Sequence, residues 1–348
     1  FLVVNPESVV LLPSLPGIDL VIVDEATKFK NYRTQRSKAL AKLVEPLRLW
    51  LMTGTPAPQA PTDAHGLLKL QRKGKYVSFG HFRDMTMLQV SQFKWVARKN
   101  AADIIAQEMR PAVRFRAEDC FDVPDEEVID RQVDMSPDQA RMVRQFEKEA
   151  FAELEGRTIT ATNAAAALSK CLQVLSGGVY GEDESGEKPA YAVDATPFFD
   201  TINDIIDESE GPVLIFTSFR VSAAVVQAHM LESGRRSAVV TAGTNARQRA
   251  AIFDDVRGGR LDTMIAIPST VSHGLDLSAS NTIIWLSPPM SFETYEQANA
   301  RISGSGQKRK RTVFRLVQTP MTKALFGRLD DRRALQDTIL ALIEKSRT

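Results

Sequence analysis

The sequence predicts an α/β protein made of two parallel-sheet units. Three observations carry that prediction. Short continuous apolar runs, Ile18 to Val23 and Val213 to Thr217 among them, have the length of strands buried on both faces. Helical stretches fall between most of these runs, the alternation of a parallel sheet with crossover helices. An acidic segment around Pro124 separates two such alternating regions, and 348 residues suffice for two cores.

In chain order, strand candidates fall at 2–4, 18–23 and 48–52, with a helix between Thr34 and Val44. Residues 72–116 are mixed and basic, with Phe79, Phe82, Phe93 and Trp95; they read as an insertion followed by a helix at about 101–109. This first segment, 1–120, is one unit. Residues 121–135 are the linker candidate, acidic and carrying Pro124. Ser136-Pro137-Asp138-Gln139 then opens a helix: a hydroxyl cap, Pro at the first helical position, Gln three residues after the cap. It should run to about Leu154. Another helix spans about 161–175 and stops at Gly177-Gly178, and 181–188 (GEDESGEK) is a solvated loop. Thr196-Pro197 opens a further helix. Strands follow at 213–217, 238–241, 263–267, 282–286 and 312–317, with helices at about 220–232, 245–257 and 291–301. The tail from Met321 is amphipathic and reads as a helix packed on this second unit, 136–348.

Composition excludes several classes. Apolar content is 43% and net charge +1, so a general polyanion-binding surface is not predicted and nucleic-acid contact must come from local basic clusters. Cys120 and Cys171 stand apart and outside any CxxC, which fits core thiols in a reducing, intracellular compartment. The four histidines form no HExxH, so no zinc site is expected. No apolar run approaches membrane-spanning length. The opening FLVVNPESVVLL lacks a basic n-region and contains Asn5, Pro6 and Glu7; it reads as a strand, not a signal peptide.

The chemistry concentrates at strand tips. Asp24-Glu25 follows one apolar run and Thr53-Gly54-Thr55-Pro56 follows the next. Open α/β sheets bind ligands at the C-terminal ends of their strands. Paired carboxylates there suit a nucleotide-driven site, one holding Mg²⁺ and the other orienting water. Alone, either segment fits a solvated turn; together and in order they are much less readily a coincidence. A third segment, 269–307, holds Gly274, where backbone can approach a ligand closely, and Asp276 in the same loop. Gln297 and Arg301, four apart, share a helix face. Arg301 could neutralise charge on a transferring phosphoryl group, or equally form a surface ion pair with Glu293 or Glu296.

Taken in order, these segments resemble the helicase-like ATPases of superfamily two, specifically the Swi/Snf-type DNA translocases and their phage-encoded relatives. DEAT at 24–27 is similar to the Walker B motif, LMTGTPAP to motif III, VLIFTSFR to motif IV, Thr270–Leu277 to motif V and YEQANARISGSGQ to motif VI. LQVLSGGVY at 172–180 and VVNPESVV at the opening are similar to the same family. The resemblance implies two RecA-like lobes, the first incomplete, with ATP and Mg²⁺ between them and duplex DNA tracked across both. It implies that Asp24 holds Mg²⁺, that Glu25 activates water, and that Thr53, Gly54 and Thr55 couple nucleotide state to DNA. Gly274, Asp276, Gln297 and Arg301 would face the nucleotide. Ser218, Arg220, Thr241, Gly243 and Thr270 would lie near the DNA backbone. The style of 79–130 suggests phage origin, and hence a host cytoplasm.

Two departures stand out. No GxxxxGK[ST] occurs, and the chain opens at what would be a mid-lobe strand, so an N-terminal part of the lobe is expected outside it. The family places a second arginine three residues after the first; here that position is Gly304. Either Arg301 suffices, or Lys308-Arg309-Lys310-Arg311 substitutes, or turnover is poor. The same basic cluster would otherwise contact DNA phosphates, or form a solvated turn. The expected function is an ATP-dependent DNA translocase or helicase-like motor, with this chain alone inactive. The rival is an assembly or nucleic-acid-binding subunit that does not turn over ATP.

Overall fold

The computed structural model describes residues 1–348 except 93, 116–121, 123, 157–160, 182–188, 272–275, 305 and 346–348. The chain falls into two compact units. One is Phe1–Arg116 with Ser291–Glu293 and Leu329–Thr348; the other is Ala117–Met290 with Thr294–Arg328.

In the first unit, β1 (Leu20–Val23), α1 (Gln35–Val44) and β2 (Arg48–Leu51) form a βαβ unit whose strands pair in parallel, Leu20 opposite Arg48 and Val23 opposite Leu51. Thr34 caps α1 by accepting from the Ser37 N–H at 3.2 Å. Val23, Phe29, Leu40, Val44, Leu67 and Leu70 make the core under this sheet. Only one face is covered. Ile22 and Trp50 are 50% and 60% exposed on the other, against the expectation of a sheet buried on both sides. The expected strand at 2–4 is also absent. Those residues form no ladder among the described residues, and a 3₁₀ turn, Pro6–Leu11, follows them. A strand exists only through its ladder, and no neighbour offers one there.

The basic segment after β2 folds into α2 (Ala64–Gln71), α3 (Phe79–Thr86), an antiparallel hairpin of β3 (Met87–Ser91) and β4 (Lys94–Ala97), and α4 (Ala101–Glu108). Leu68, Phe82, Ile105 and Met109 pack together there. Leu335 and Ile339 of the tail join that cluster. The tail from Leu329 thus belongs to the first unit, a correction to the expectation that all of it packs on the second.

The second unit is built on β5 (Glu126–Gln132), joined through α5 (Pro137–Gly156), α6 (Ala161–Leu175) and the β6–β7 pair (Gly178–Tyr180, Ala190–Ala192) to α7 (Thr196–Asp207). Then come β8 (Val213–Phe216), α8 (Arg220–Glu232), β9 (Ser237–Val240), α9 (Ala246–Arg257), β10 (Thr263–Ala266), β11 (Thr282–Trp285), α10 (Phe292–Asn299), β12 (Arg311–Val317) and the start of α11 (Pro320–Lys345), whose part from Leu329 belongs to the first unit. Six strands make one all-parallel sheet in the order β5-β12-β11-β8-β10-β9. The interior strands β8, β10 and β11 are buried at every position, which is why they read as unbroken apolar runs. Phe198, Ile202, Ile215, Val226, Ile265 and Ile284 form the centre of the core.

β5 overturns the reading of 121–135 as a linker. Its seven residues pair with β12 from Glu126 opposite Arg311 to Gln132 opposite Val317. The acidity that suggested solvent is cross-strand charge pairing. Glu126 meets Arg311 at 3.1 Å, Glu127 meets Lys310 at 2.8 Å, and Asp130 meets Arg315 at 2.6 Å.

Candidate functional site

The tips of β1 and β2 are brought side by side. The Met52 N–H donates to Val23 O and the Ala26 N–H to Met52 O, both at 2.9 Å, extending the ladder past the strand ends. Asp24-Glu25 therefore turns directly beside Met52-Thr53. Glu25 adopts φ 50°, ψ 51°, the left-handed region that a side chain other than Gly rarely enters. Such strain persists where the surroundings over-determine it and clusters at ligand sites. Here the Glu25 N–H donates to Asp24 Oδ1 at 3.0 Å and closes the turn. Thr53 Oγ1 accepts from the Thr55 N–H at 3.1 Å, holding the Thr53-Gly54-Thr55 bend by its own hydroxyl. Asp24 and Gly54 are exposed and Glu25 half-buried.

α2 locks this corner from below. Gly66 lies so close to the chain that a Cβ there would sit 1.9 Å from the O of Lys30, the residue that ends the 3₁₀ turn Ala26–Phe29 after the acidic pair. Lys30 in turn reaches Asp63 at 3.3 Å, and Asp63 accepts from the Gln59 N–H at 2.8 Å.

In the second unit, Asp276, Gln297 and Arg301 come together, while Gly274 lies outside the described residues. The Leu277 N–H donates to Arg301 O at 3.0 Å, and Arg301 Nε donates to Gln297 O at 2.8 Å. Asp276 Oδ1 accepts from the Ser278 N–H at 2.9 Å. The same carboxylate explains Gly304: a Cβ at 304 would stand 2.5 Å from Asp276 Oδ1. Gln307, which sequence reasoning quoted but did not use, is the knot of this region. It is buried, and its amide lies 2.7 Å from Ser280 O, 3.1 Å from Ser278 O and 3.2 Å from Ile302 O. α10 is set on the sheet by a buried bond from Trp285 Nε1 to Asn299 Oδ1 at 2.9 Å.

Ser218, Thr241, Gly243 and Thr270 follow β8, β9 and β10, and Arg220 opens α8, so all five share the C-terminal edge of one parallel sheet. Ser218, Arg220 and Gly243 are exposed. The Thr241 hydroxyl accepts from the Gly243 N–H at 3.3 Å, and the Thr270 hydroxyl donates to Ile267 O at 2.7 Å. Both threonines thus shape their own loops.

Lys308, Arg309, Lys310 and Arg311 do not join that group. Lys308 to Lys310 precede β12 and Arg311 opens it, and in an all-parallel sheet the N-terminal edge is the far end from the five loop residues. Three of the four are committed. Arg309 donates to Ala279 O at 2.5 Å, while Lys310 and Arg311 pair with β5. The Glu127 carboxylate, hydrogen-bonded to Lys310, holds its ammonium above the ordinary lysine value. In this structure Arg309, Lys310 and Arg311 take part in the packing of β12 and its flank, while Lys308 is exposed.

The donor set at β1 is hard oxygen, one exposed carboxylate with a second beside it. This fits Mg²⁺, which keeps several waters and takes one or two protein carboxylates alongside phosphate oxygens. Among the described residues no group of three or more His, Cys, Asp or Glu gathers in a metal-binding arrangement.

Comparison with known proteins bears on these segments in order. A SNF2-related domain matches residues 5–176 and a helicase conserved C-terminal domain matches 198–304. Protein p41 of Acyrthosiphon pisum secondary endosymbiont phage 1 is 27% identical over 98% of this chain and 77% of its own length. The ATP-dependent helicase YqhH of Bacillus subtilis (strain 168), described as uncharacterized, is 24% identical over 86% of this chain; the chain spans 55% of it. Among solved structures, the Sulfolobus solfataricus SWI2/SNF2 ATPase core in complex with dsDNA superposes with a TM-score of 0.47 at 19% identity, covering 92% of this chain and 69% of that one. With a SNF2-related domain followed by a helicase C-terminal domain, each on the segments that carry its motifs, the chain belongs to the Swi/Snf-type helicase-like proteins of superfamily two.

Proposed function

We propose that this chain acts in an ATP-dependent motor that moves along duplex DNA. The observation that carries the reading is the pair of adjacent strand tips: a strained acidic turn, Asp24-Glu25, laddered to the Thr53-Gly54-Thr55 bend. A carboxylate pair next to a hydroxyl-rich turn can couple what happens at a phosphate to what happens along the chain. Asp24 would hold Mg²⁺, which when bound neutralises charge on the phosphate oxygens. Glu25, fixed by its left-handed backbone, would orient the attacking water. Arg301 would supply positive charge from the second unit, its side chain aimed by the Gln297 carbonyl. Gln297 and Asp276 would line the same nucleotide side, with Gly274 between the loop's two ends. Thr53 and Thr55 would relay nucleotide state. Ser218, Arg220, Thr241, Gly243 and Thr270 would meet the DNA backbone at the sheet's C-terminal edge.

These 348 residues hold no GxxxxGK[ST], so the purified chain is expected to hydrolyse ATP at background level. The test uses a longer form that adds a phosphate-binding loop, assayed with and without duplex DNA. Turnover should rise with DNA, and Glu25→Gln should lower it by about 10²–10⁴-fold, the range for losing a positioned base. Unchanged DNA-stimulated turnover in Glu25→Gln would remove the catalytic assignment.

A second reading is favoured by Gly304, where Asp276 fills the space beside the backbone. Loss of an arginine finger costs about 10³–10⁵ in rate. A longer form that binds ATP and DNA but turns over at background would establish the subunit reading instead.

A further inference from the structure

We infer that the β3–β4 hairpin and its flanks form a second duplex-DNA contact, carried by the first unit and separate from every residue assigned above. Between Lys69 and Lys99 the sequence has eight Lys and Arg against one acidic residue, Asp84, in a chain whose net charge is +1. Asp84 is already spent on Arg83, at 3.3 Å. Lys75, Lys94 and Lys99 are exposed and make no ion pair among the described residues. Basic charge this concentrated on a near-neutral chain is the electrostatic footprint of a polyanion site.

The fold turns the segment into a projecting ribbon. β3 and β4 pair only with each other among the described residues. One face is anchored. Met87 is buried, and the Arg83 guanidinium of α3 stands 3.9 Å over the Trp95 ring. The root is pinned by Arg98, whose Nε donates to Asp84 O and Met87 O, both at 3.0 Å. The other face carries Leu88 opposite Val96, with Lys94 two residues before Val96 on the same side. Leu88 is 48% exposed. A two-stranded ribbon fits the DNA major groove, and the lysines beside it would fall on the flanking phosphates. Lys75 stands in the α2–α3 turn and lines a shallow cavity of about 550 Å³ with Arg72, Glu108 and Met85, of which Met85 lies two residues before β3 begins. Charge complementarity favours DNA over a protein as the occupant, because an apolar protein face would gain nothing from the surplus of lysines.

The inference rests on the nucleic-acid reading above and is separable from it. The intact 348-residue chain is titrated against a fluorescent duplex of about 20 base pairs by anisotropy, from about 50 to 200 mM KCl. Lys75→Ala/Lys94→Ala/Lys99→Ala is expected to weaken binding about tenfold or more at 100 mM, and to lower the slope of log K against log salt by about 2 to 3, the signature of three lost phosphate contacts. Lys38→Ala/Lys42→Ala/Lys323→Ala, with the same change in formal charge, should leave slope and affinity unchanged. An unchanged slope in the first variant overturns the hairpin site and leaves the Leu88–Val96 face to a protein partner. Equal losses in both variants overturn it in favour of bulk charge. If the unmodified chain binds no duplex at the lowest salt, the DNA reading of the whole molecule falls with it.

Discussion

At the scale of single residues, Gly304 sits against a neighbour that can move. Gly304 faces the Asp276 carboxylate at a distance no Cβ tolerates, and that carboxylate is held by the Ser278 N–H. Asp276 is exposed, so it can swing away at the loss of about one hydrogen bond. Gly304→Ala should therefore cost about 1 kcal/mol in urea unfolding, and Asp276→Gly in the same chain should cancel most of that cost, a coupling that a double-mutant cycle reads directly. Additive costs would show that the two positions do not compete for space. His65 supplies a pH effect at the same scale. It is buried against Tyr32, Tyr76, Phe79 and Phe82, with Nε2 2.9 Å from Val77 O and Nδ1 unpartnered. Burial is the main force holding its pKa below the ordinary imidazole value, and Lys69 adds to it. A depressed folded value means the unfolded chain takes up the proton first. The stabilisation is complete above about pH 6.5 and is lost as pH falls below that value toward the folded pKa. The urea midpoint should drop between about pH 7.5 and 5.5 in the native chain, and His65→Phe should flatten that drop. A variant with the native pH profile would assign the effect to other groups.

At the scale of elements, the start of α5 shows how far a sequence pattern reaches. The spacing of Ser136 and Gln139 predicts a capping box, and both bonds are present at 3.1 Å: Gln139 N–H to Ser136 Oγ, and Ser136 N–H to Gln139 Oε1. The pattern does not reveal that the other end of the Gln139 amide donates to Val174 O and Leu175 O, at 3.0 and 3.1 Å, tying the start of α5 to the end of α6. Those partners lie 35 and 36 residues away, beyond any local rule. Ser136→Ala should cost about 1 kcal/mol, as caps do. Gln139→Leu should cost about 2–3 kcal/mol, since it also strips bonds from buried carbonyls. The double variant should cost less than the sum, because the box bonds are shared. Equal costs for the two single changes would show that the α6 bonds contribute nothing. The β5–β12 ladder is the converse case. Its acidic half reads as linker, and that reading fails once its partner strand is in place. Charges that look solvated one strand at a time neutralise one another once the strands lie in register. β8, β10 and β11 escape this ambiguity because they are buried at every position and have no solvent side to match.

At the scale of the whole molecule, the two units differ in how completely the chain buries what it presents, and this also sets what the sequence could reveal. Every strand from 213 onward was legible within a residue or two because a six-stranded sheet clothed by helices forces apolar runs of fixed length. The β1–β2 sheet has the same apolar strands but only two of them among the described residues. Runs that spell two-sided burial instead leave Ile22, Trp50 and Met52 on an open face. The adjoining tips that place Asp24 beside Thr53 were legible all the same, since their ladder needs only the two strands. An apolar sheet face with unpaired edges is an association hazard. The purified chain should therefore self-associate as concentration rises and should bind an apolar dye while folded. Ile22→Thr/Trp50→Gln should suppress both, read by light scattering on a sizing column and by dye fluorescence. Because both side chains are at least half in water already, the urea midpoint should correspond to a stability within about 1 kcal/mol of the native chain. If association and dye binding persist unchanged in the variant, the open face is not their source. If the variant unfolds instead, that face is part of a core which the two-stranded sheet does not show.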